Sequence, residues 1–302
     1  MTLKQILQEN ILKLKLKKIK NPHLEAELLL SNILKKPREF LLTHNEYKLA
    51  KSQITKYQSL INRRIKGEPI AYLTGHKEFY GLDFFVNKNT LIPRPETELM
   101  VDEAIKLIIQ DGSQPTTIID IGTGSGCIII TLAKLIINYQ LQITNYEFFG
   151  IDISKKALFI AKKNAKFHNV DKNIKFLHGN LLEPIINNKK YKIQNTKYII
   201  LANLPYLTPT QIKNSPTIKY EPKLALTAGL DGLKYYQQLF KQVTYLIQNT
   251  KYKIQNTLSV LCEIDPSQTT LIKKLIKKYF QQAKLQIKED LADHNRLIII
   301  TF

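Results

Sequence analysis

Three short stretches carry residue types suited to chemistry. The first, Asp120-Ile121-Gly122-Thr123-Gly124-Ser125-Gly126, sets three glycines at alternate positions after an apolar run. Glycines at a strand exit let the backbone turn sharply and approach a ligand closely. The spacing GxGxG differs from the GxGxxG of dinucleotide enzymes, and alone it also fits a plain tight turn. Asp152 ends the next apolar run. An ionised Asp there offers two acceptor oxygens, enough for both hydroxyls of a ribose. It equally fits an N-cap for the helix starting near Ser154. Together, in a strand–helix–strand context, the two point to a ligand containing a nucleoside.

The third stretch is Asn203-Leu204-Pro205-Tyr206, after a later apolar run. Asn carries an acceptor and a donor on one short side chain. Pro205 fixes its own φ and pushes Leu204 toward an extended conformation. The result is a stiff turn with carbonyls in fixed directions. Tyr206 either covers a flat group or packs in the wall. A planar, conjugated NH₂ is a poor nucleophile because its lone pair is delocalised. An acceptor on each N–H holds that nitrogen and lets charge build on it as a methyl group arrives. Asn203 Oδ1 and one backbone carbonyl supply such acceptors, by electrostatic preorganisation. A glutamine amide and the exocyclic amine of adenine fit equally. An ordinary strand-to-loop turn is the bland alternative.

The elements that must hold these stretches are readable from periodicity. From residue 116 the chain alternates. Strands are expected at 116–121, 146–151, 174–178, 198–202 and 258–264, with helices at 126–137, 154–167, 232–247 and after Pro266. Such alternation means a parallel sheet covered by helices. The last two strands, near Leu285 and at 297–302, follow a short connection that implies one antiparallel strand. Residues 1–75 read as helices. Leu3, Ile6, Leu7, Ile11 and Leu14 fall at helical spacing. Asn21-Pro22 reads as an N-cap before proline, with Leu24, Leu28, Leu29 and Ile33 as the apolar face that follows. A third helix is expected from Lys48 to Lys66. Phe79, Tyr80, Phe84, Phe85 and Val86 around Gly81-Leu82-Asp83 suggest a β-hairpin within 76–92. A further helix is expected over 96–109. IQNT recurs at 193–196, 247–250 and 254–257, and reads as tolerated surface insertion.

Composition bounds the rest. The 302 residues are 44% apolar, enough for two domains and too apolar for a disordered chain. Two cysteines and scattered histidines exclude a disulfide scaffold and give no metal spacing, so no metal is expected. The N-terminus lacks a signal-peptide h-region and no apolar run reaches a membrane span. A soluble, cytoplasmic protein without membrane contact is expected, acting as a monomer. The net charge of +20 invites a nucleic-acid partner. Five arginines against many lysines, with abundant Ile and Asn, fit compositional drift equally well.

The chain resembles the S-adenosylmethionine-dependent release-factor glutamine methyltransferases, the PrmC/HemK family, over most of its length. The distinctive run is Arg63-Arg64-Ile65-Lys66-Gly67-Glu68-Pro69-Ile70-Ala71-Tyr72-Leu73-Thr74-Gly75. It continues through Glu78-Phe79-Tyr80-Gly81 to Leu91-Ile92-Pro93-Arg94-Pro95-Glu96-Thr97-Glu98. Glu221-Pro222, Ala225-Leu226, Gly229, Asp231-Gly232-Leu233 and Glu263-Ile264 also match. The resemblance implies a Rossmann-like α/β methyltransferase domain, with a mostly parallel seven-stranded sheet and one antiparallel strand, behind a small helical bundle. The implied domains are a substrate-binding bundle at 1–75, a hairpin linker at 76–92 and the methyltransferase at 93–302. The implied reaction is methylation, from S-adenosyl-L-methionine, of the glutamine nitrogen in the Gly-Gly-Gln motif of class I peptide-chain release factors, with no nucleic acid required.

It implies that Gly122, Thr123, Gly124, Ser125, Gly126, Asp152, Asn180, Leu181 and Asn203 bind the cofactor. Asn203, Leu204, Pro205 and Tyr206 would orient the substrate amide. Arg94 and Glu96 are further substrate-binding candidates. Arg94 is alternatively a partner for Glu68, and Glu96 a residue that favours a helix N-terminus. Three departures stand out. Leu204 replaces the first proline of Asn-Pro-Pro-Tyr. Gly179-Asn180-Leu181 replaces Ser-Asp-Leu or Ser-Asp-Trp. The IQNT copies lengthen loops. The Asn-Leu-Pro-Tyr form also resembles ribosomal-RNA adenine dimethyltransferases, so N6-adenine methylation of RNA or DNA is the alternative. Methylation of a ribosomal-protein glutamine and a non-catalytic binding protein remain as further readings.

Overall fold

The computed structural model describes residues 1–110, 115–138, 146–188, 191, 197–249 and 258–302. They form two compact units: Met1–His76 with Pro216–Tyr220, and Lys77–Ser215 with Glu221–Phe302.

The first unit is helical: α1 (Leu3–Leu16), α2 (Pro22–Leu34), α3 (Arg38–Thr43), α4 (Lys51–Ile65) and α5 (Ile70–Thr74). Leu3, Ile6 and Leu14 of α1 are buried against Ala26, Leu29 and Leu30 of α2 and Tyr57 and Ile61 of α4. The buried face of α2 is thus centred on 26, 29 and 30, and Leu24 is exposed. Pro22 opens α2 as expected, while the Asn21 side chain makes no capping bond. The family-like run is held by ion pairs: Arg63 Nε donates to Glu68 at 2.8 Å, and Arg64 pairs with Glu25. Tyr220 donates its hydroxyl to the Lys66 carbonyl at 2.7 Å.

The second unit opens with the hairpin β1 (His76–Phe79) and β2 (Leu82–Phe85), in which His76 alone falls to the first unit. Phe79 and Phe84 are fully buried in the second unit's core. A 3-10 turn (Pro95–Thr97) leads into α6 (Glu98–Gln110). Then come β3 (Thr116–Ile121), α7 (Cys127–Asn138), β4 (Tyr146–Asp152), α8 (Lys155–Phe167), β5 (Ile174–His178), α9 (Glu183–Ile186) and β6 (Lys197–Ala202). The chain closes with α10 (Pro209–Lys213), α11 (Lys234–Asn249), β7 (Leu258–Glu263), α12 (Thr269–Tyr279), β8 (Lys284–Glu289) and β9 (Asn295–Thr301). Residues 190, 192–196 and 250–257, which contain two IQNT copies, lie outside the described residues; Ile247 starts the third at the end of α11.

The sheet order is β5-β4-β3-β6-β7-β9-β8, with β9 antiparallel to both neighbours and the other pairs parallel. The expected seven strands and single antiparallel strand are therefore present. All residues of β3, β6 and β7 are buried, because helices cover both faces of a parallel sheet. Alternate residues feed two cores. Ile119, Ile121, Ile200 and Val260 pack with Tyr236, Phe240 and Ile272 on one side. Ile118, Ile199 and Leu261 pack with Met100, Ile129 and Leu132 on the other.

Candidate active site

After β3 the chain winds outward to β4 and β5, then crosses back to place β6 on the other side of β3. Ligands in open α/β sheets bind at such a switch point, beyond the carboxyl ends of the strands. The register aligns those ends: Ile121 lies beside both Ile151 and Ala202, and Ala202 beside Cys262. The residues that follow, Gly122, Asp152, Asn203 and Glu263, therefore emerge side by side. A cleft with about 830 Å³ of open space lies there. Its wall is largely apolar, with Ile121, Ile151, Leu181, Leu204, Leu224 and Tyr235, and carries Asn89, Thr90, Asp152, Ser154, Asn180 and Asn203 as polar residues. Such a wall suits a flat apolar ring bearing a few hydrogen-bonding groups.

The glycine loop turns at once. Gly122 and Thr123 both donate their N–H to the Ile151 carbonyl, at 2.8 and 3.0 Å. Gly122, Gly124 and Gly126 all have positive φ, which L side chains rarely adopt. Gly122 and Gly124 line the cleft. A Cβ on Gly122 would stand 3.4 Å from Leu204 Cδ2, in the gap between loop and turn. Gly126 is absent from the wall, and its need is packing: a Cβ would meet Ile130 Cδ1 at 2.7 Å and Ala161 Cβ at 3.2 Å. Thr123 and Ser125 are buried behind the wall. Thr123 donates its hydroxyl to Asp120 at 2.6 Å. Burial pushes the Asp120 carboxyl up to about 7; the Thr123 hydroxyl opposes this and the Asp152 charge adds to it.

Asp152 accepts the backbone N–H of Gly124 at 2.9 Å on one oxygen and that of Ser154 at 2.8 Å on the other. Ser154, and not Asp152, caps α8, accepting from the Ala157 N–H at 3.2 Å. Each Asp152 oxygen keeps acceptor capacity in the cleft wall, as two ribose hydroxyls would need. Burial raises its carboxyl above the usual range, against those two backbone donors. Asn180 and Leu181 also reach the wall. Asn180 Nδ2 donates to Glu183 at 3.0 Å. Gly179 has no room for a serine, since a Cβ there would lie 2.4 Å from Pro184 Cγ.

The Asn203 amide is tied from behind. Its Nδ2 donates to Glu263 Oε2 at 3.0 Å and to Thr97 Oγ1 at 3.1 Å. Thr97 donates its own hydroxyl to the same carboxylate at 2.7 Å. Tyr206 donates to the other Glu263 oxygen at 3.2 Å. Among the described residues, Asn203 Oδ1 has no hydrogen-bond partner. Tyr236, fully buried, donates its hydroxyl to the carbonyls of Ala202, at 3.1 Å, and Glu263, and takes a backbone hydrogen bond from Leu204. Gln268 holds the Tyr206 carbonyl at 2.7 Å. Gly232 lets that contact form: a Cβ there would lie 2.2 Å from the Tyr206 oxygen.

The structure brings Gly122, Gly124, Asp152, Asn180, Leu181, Asn203, Leu204 and Pro205 to one cleft. Tyr206 stands behind it, on Glu263. Arg94 pairs with the buried Glu221, which also accepts the Ile92 N–H at 3.1 Å; its expected alternative partner, Glu68, is taken by Arg63. Glu96 is exposed on the 3-10 turn. Thr97, Glu263, Tyr236 and Gln268 support the turn without any local sequence pattern that marks them as site residues. Thr97 and Glu263 stood within the family-like runs, and nothing in their spacing pairs them.

Comparisons with known proteins bear on the family and the fold. The PrmC N-terminal domain family matches residues 5–75, and a family described as methyltransferase domain matches 113–284. A bifunctional methyltransferase of Rickettsia typhi is 34% identical over 99% of this chain and 57% of its own length. The chain thus spans little more than half of that relative. A release factor glutamine methyltransferase of Bacillus anthracis is 32% identical, covering 90% of each chain. One of Coxiella burnetii is 36% identical, covering 76% of each. Among solved structures, the hMettl16 catalytic domain in complex with a MAT2A 3'UTR hairpin aligns with TM-score 0.55 at 16% identity, over 90% of this chain and 92% of that one. That likeness is one of fold alone.

Proposed function

The chain belongs to the release factor glutamine methyltransferase family, and we propose that it methylates the side-chain amide nitrogen of the glutamine in the Gly-Gly-Gln motif of a class I release factor. S-adenosylmethionine, when bound, supplies an electrophilic methyl carbon on its sulfonium. The cleft residues fit that cofactor: a loop whose glycines admit close approach, a carboxylate for ribose hydroxyls at Asp152 and a neutral amide at Asn180 for an adenine edge. Asn203, Leu204, Pro205 and Tyr206 form the substrate turn.

The observation that carries the reading is the tethered Asn203 amide. Both its donors are taken by Thr97 and Glu263, so its oxygen is the group left for a ligand. Asn203 Oδ1 and the Leu204 carbonyl accept the two N–H groups of the substrate amide and hold its nitrogen in line for transfer. Pro205 offers no competing N–H. The Glu263 carboxylate is occupied by Thr97, Asn203 and Tyr206, so the turn orients the amide and takes no proton from it; the N–H proton displaced when the nitrogen gains the methyl group passes to solvent. Residues 1–75 are taken as the domain that holds the protein substrate, 76–92 as the hairpin linker and 93–302 as the catalytic domain of a cytoplasmic monomer. Arg94 and Glu96 would contact the substrate beyond the turn. The test is mass spectrometry of a release factor incubated with enzyme and cofactor. One added methyl group on the Gly-Gly-Gln peptide supports the reading; an unmodified peptide contradicts it.

A further inference from the structure

We propose that Glu263 is a positioning residue, whose ionised carboxylate fixes the Asn203 amide with its oxygen toward the substrate, directly and through Thr97. The inference deepens the glutamine-transfer reading and rests on it.

A carboxylate that is ionised accepts hydrogen bonds and donates none. Glu263 is 2% exposed at the end of β7. Its Oε2 takes the Thr97 hydroxyl proton at 2.7 Å. That hydroxyl has one proton, so toward Asn203 its oxygen is an acceptor. Asn203 therefore faces two acceptors, Glu263 Oε2 at 3.0 Å and Thr97 Oγ1 at 3.1 Å, and only the NH₂ end of its amide satisfies both. The reversed amide would set an oxygen against a carboxylate and a lone pair, and would offer the substrate N–H groups a donor where they need an acceptor. A protonated Glu263 loses this command. Its O–H can donate to Asn203, and the reversed amide becomes tolerable.

The surroundings of Glu263 set when this happens. Burial raises its carboxyl above the ordinary range, and Glu96 on the 3-10 turn adds to that. The Thr97 and Tyr206 hydroxyls and the Arg296 guanidinium on β9 oppose it. Tyr236 on α11 and Cys127 on α7 also face the carboxylate, and both are held neutral by burial. The ionised form is thus lost at a higher pH than for an exposed glutamate, and transfer falls as pH falls through that raised value.

The test is the single-turnover rate of methyl transfer to release factor across mildly acid to mildly alkaline pH, with calorimetric affinity for S-adenosylhomocysteine measured beside it. Glu263→Gln should slow transfer by roughly 10²-fold, the scale set by misplacing one preorganised polar group. Its cofactor affinity should stay near that of the parent chain, and its rate should lose the acid limb. Thr97→Val should slow transfer without touching the cofactor, and Thr97→Ser should restore it. These two variants also decide the matter if Glu263→Gln fails to fold. A parent chain that labels release factor while Glu263→Gln does so at the same rate, with the same acid limb, overturns the inference alone. A parent chain that leaves release factor unlabelled overturns the glutamine reading and the inference with it.

Discussion

The Asp152 carboxylate accepts the Gly124 backbone N–H at 2.9 Å, so the end of one strand braces the loop that leaves its neighbour. The same carboxylate accepts the Ser154 N–H at 2.8 Å. Asp152→Asn replaces one acceptor with a donor, and that donor must face either a backbone N–H or the ligand. Hydrogen bonds to a charged group are worth about 1.5–3 kcal/mol, so affinity for S-adenosylhomocysteine should fall by roughly 10–100-fold. Isothermal calorimetry measures it. Unchanged affinity would remove Asp152 from the cofactor site.

Asn203→Ala should act on the other half of the reaction. On the proposed reading it removes the acceptor for the substrate amide and leaves the cofactor wall intact, apart from one side chain. Loss of one preorganised group of this kind costs on the order of 10²–10³-fold in rate. Single-turnover transfer should fall by that order, while calorimetric cofactor affinity stays within about threefold, a change below 1 kcal/mol. A variant that turns over normally contradicts the proposed turn chemistry.

Asp120 gives the fold a pH signature. Its carboxyl is pushed up to about 7 by burial, from the ordinary value of 3.8. Between those values the folded chain holds a proton that the unfolded chain has released. Stability from this group is therefore fully present below the unfolded value and lost as pH rises toward about 7. Thermal melts over that window should show a falling contribution with rising pH, and Asp120→Asn should flatten the slope. An identical slope in the variant would show that other groups set it.

Much of this architecture was legible because the signals were local. β3, β6 and β7 are buried on both faces, so each reads as a continuous apolar run. The loop after β3, Asp152 at the end of β4 and the turn after β6 sit where strands stop, and alternation predicts those points. α3 and α5, with six and five residues, are too short for a helical period to show. The support of Asn203 was hidden for a different reason. Thr97 and Glu263 are 166 positions apart and meet only because the 3-10 turn before α6 closes over the end of β7. At Gly126 the packing limit was equally invisible: a Cβ there would crowd Ile130 and Ala161, which the local sequence does not show. Arg94 had two readings, a substrate contact or a pair with Glu68, and the fold pairs it with Glu221, 127 positions away.

The central claim is that the amide of a protein glutamine, and not an adenine amine, sits on Asn203 and Leu204. The most direct measurement is transfer of a labelled methyl group from S-adenosylmethionine to purified release factor, to the same factor with the Gly-Gly-Gln glutamine replaced, and to bulk RNA. Label on the intact factor alone is the predicted result. Label on RNA, or equal label on the factor lacking its glutamine, would contradict it.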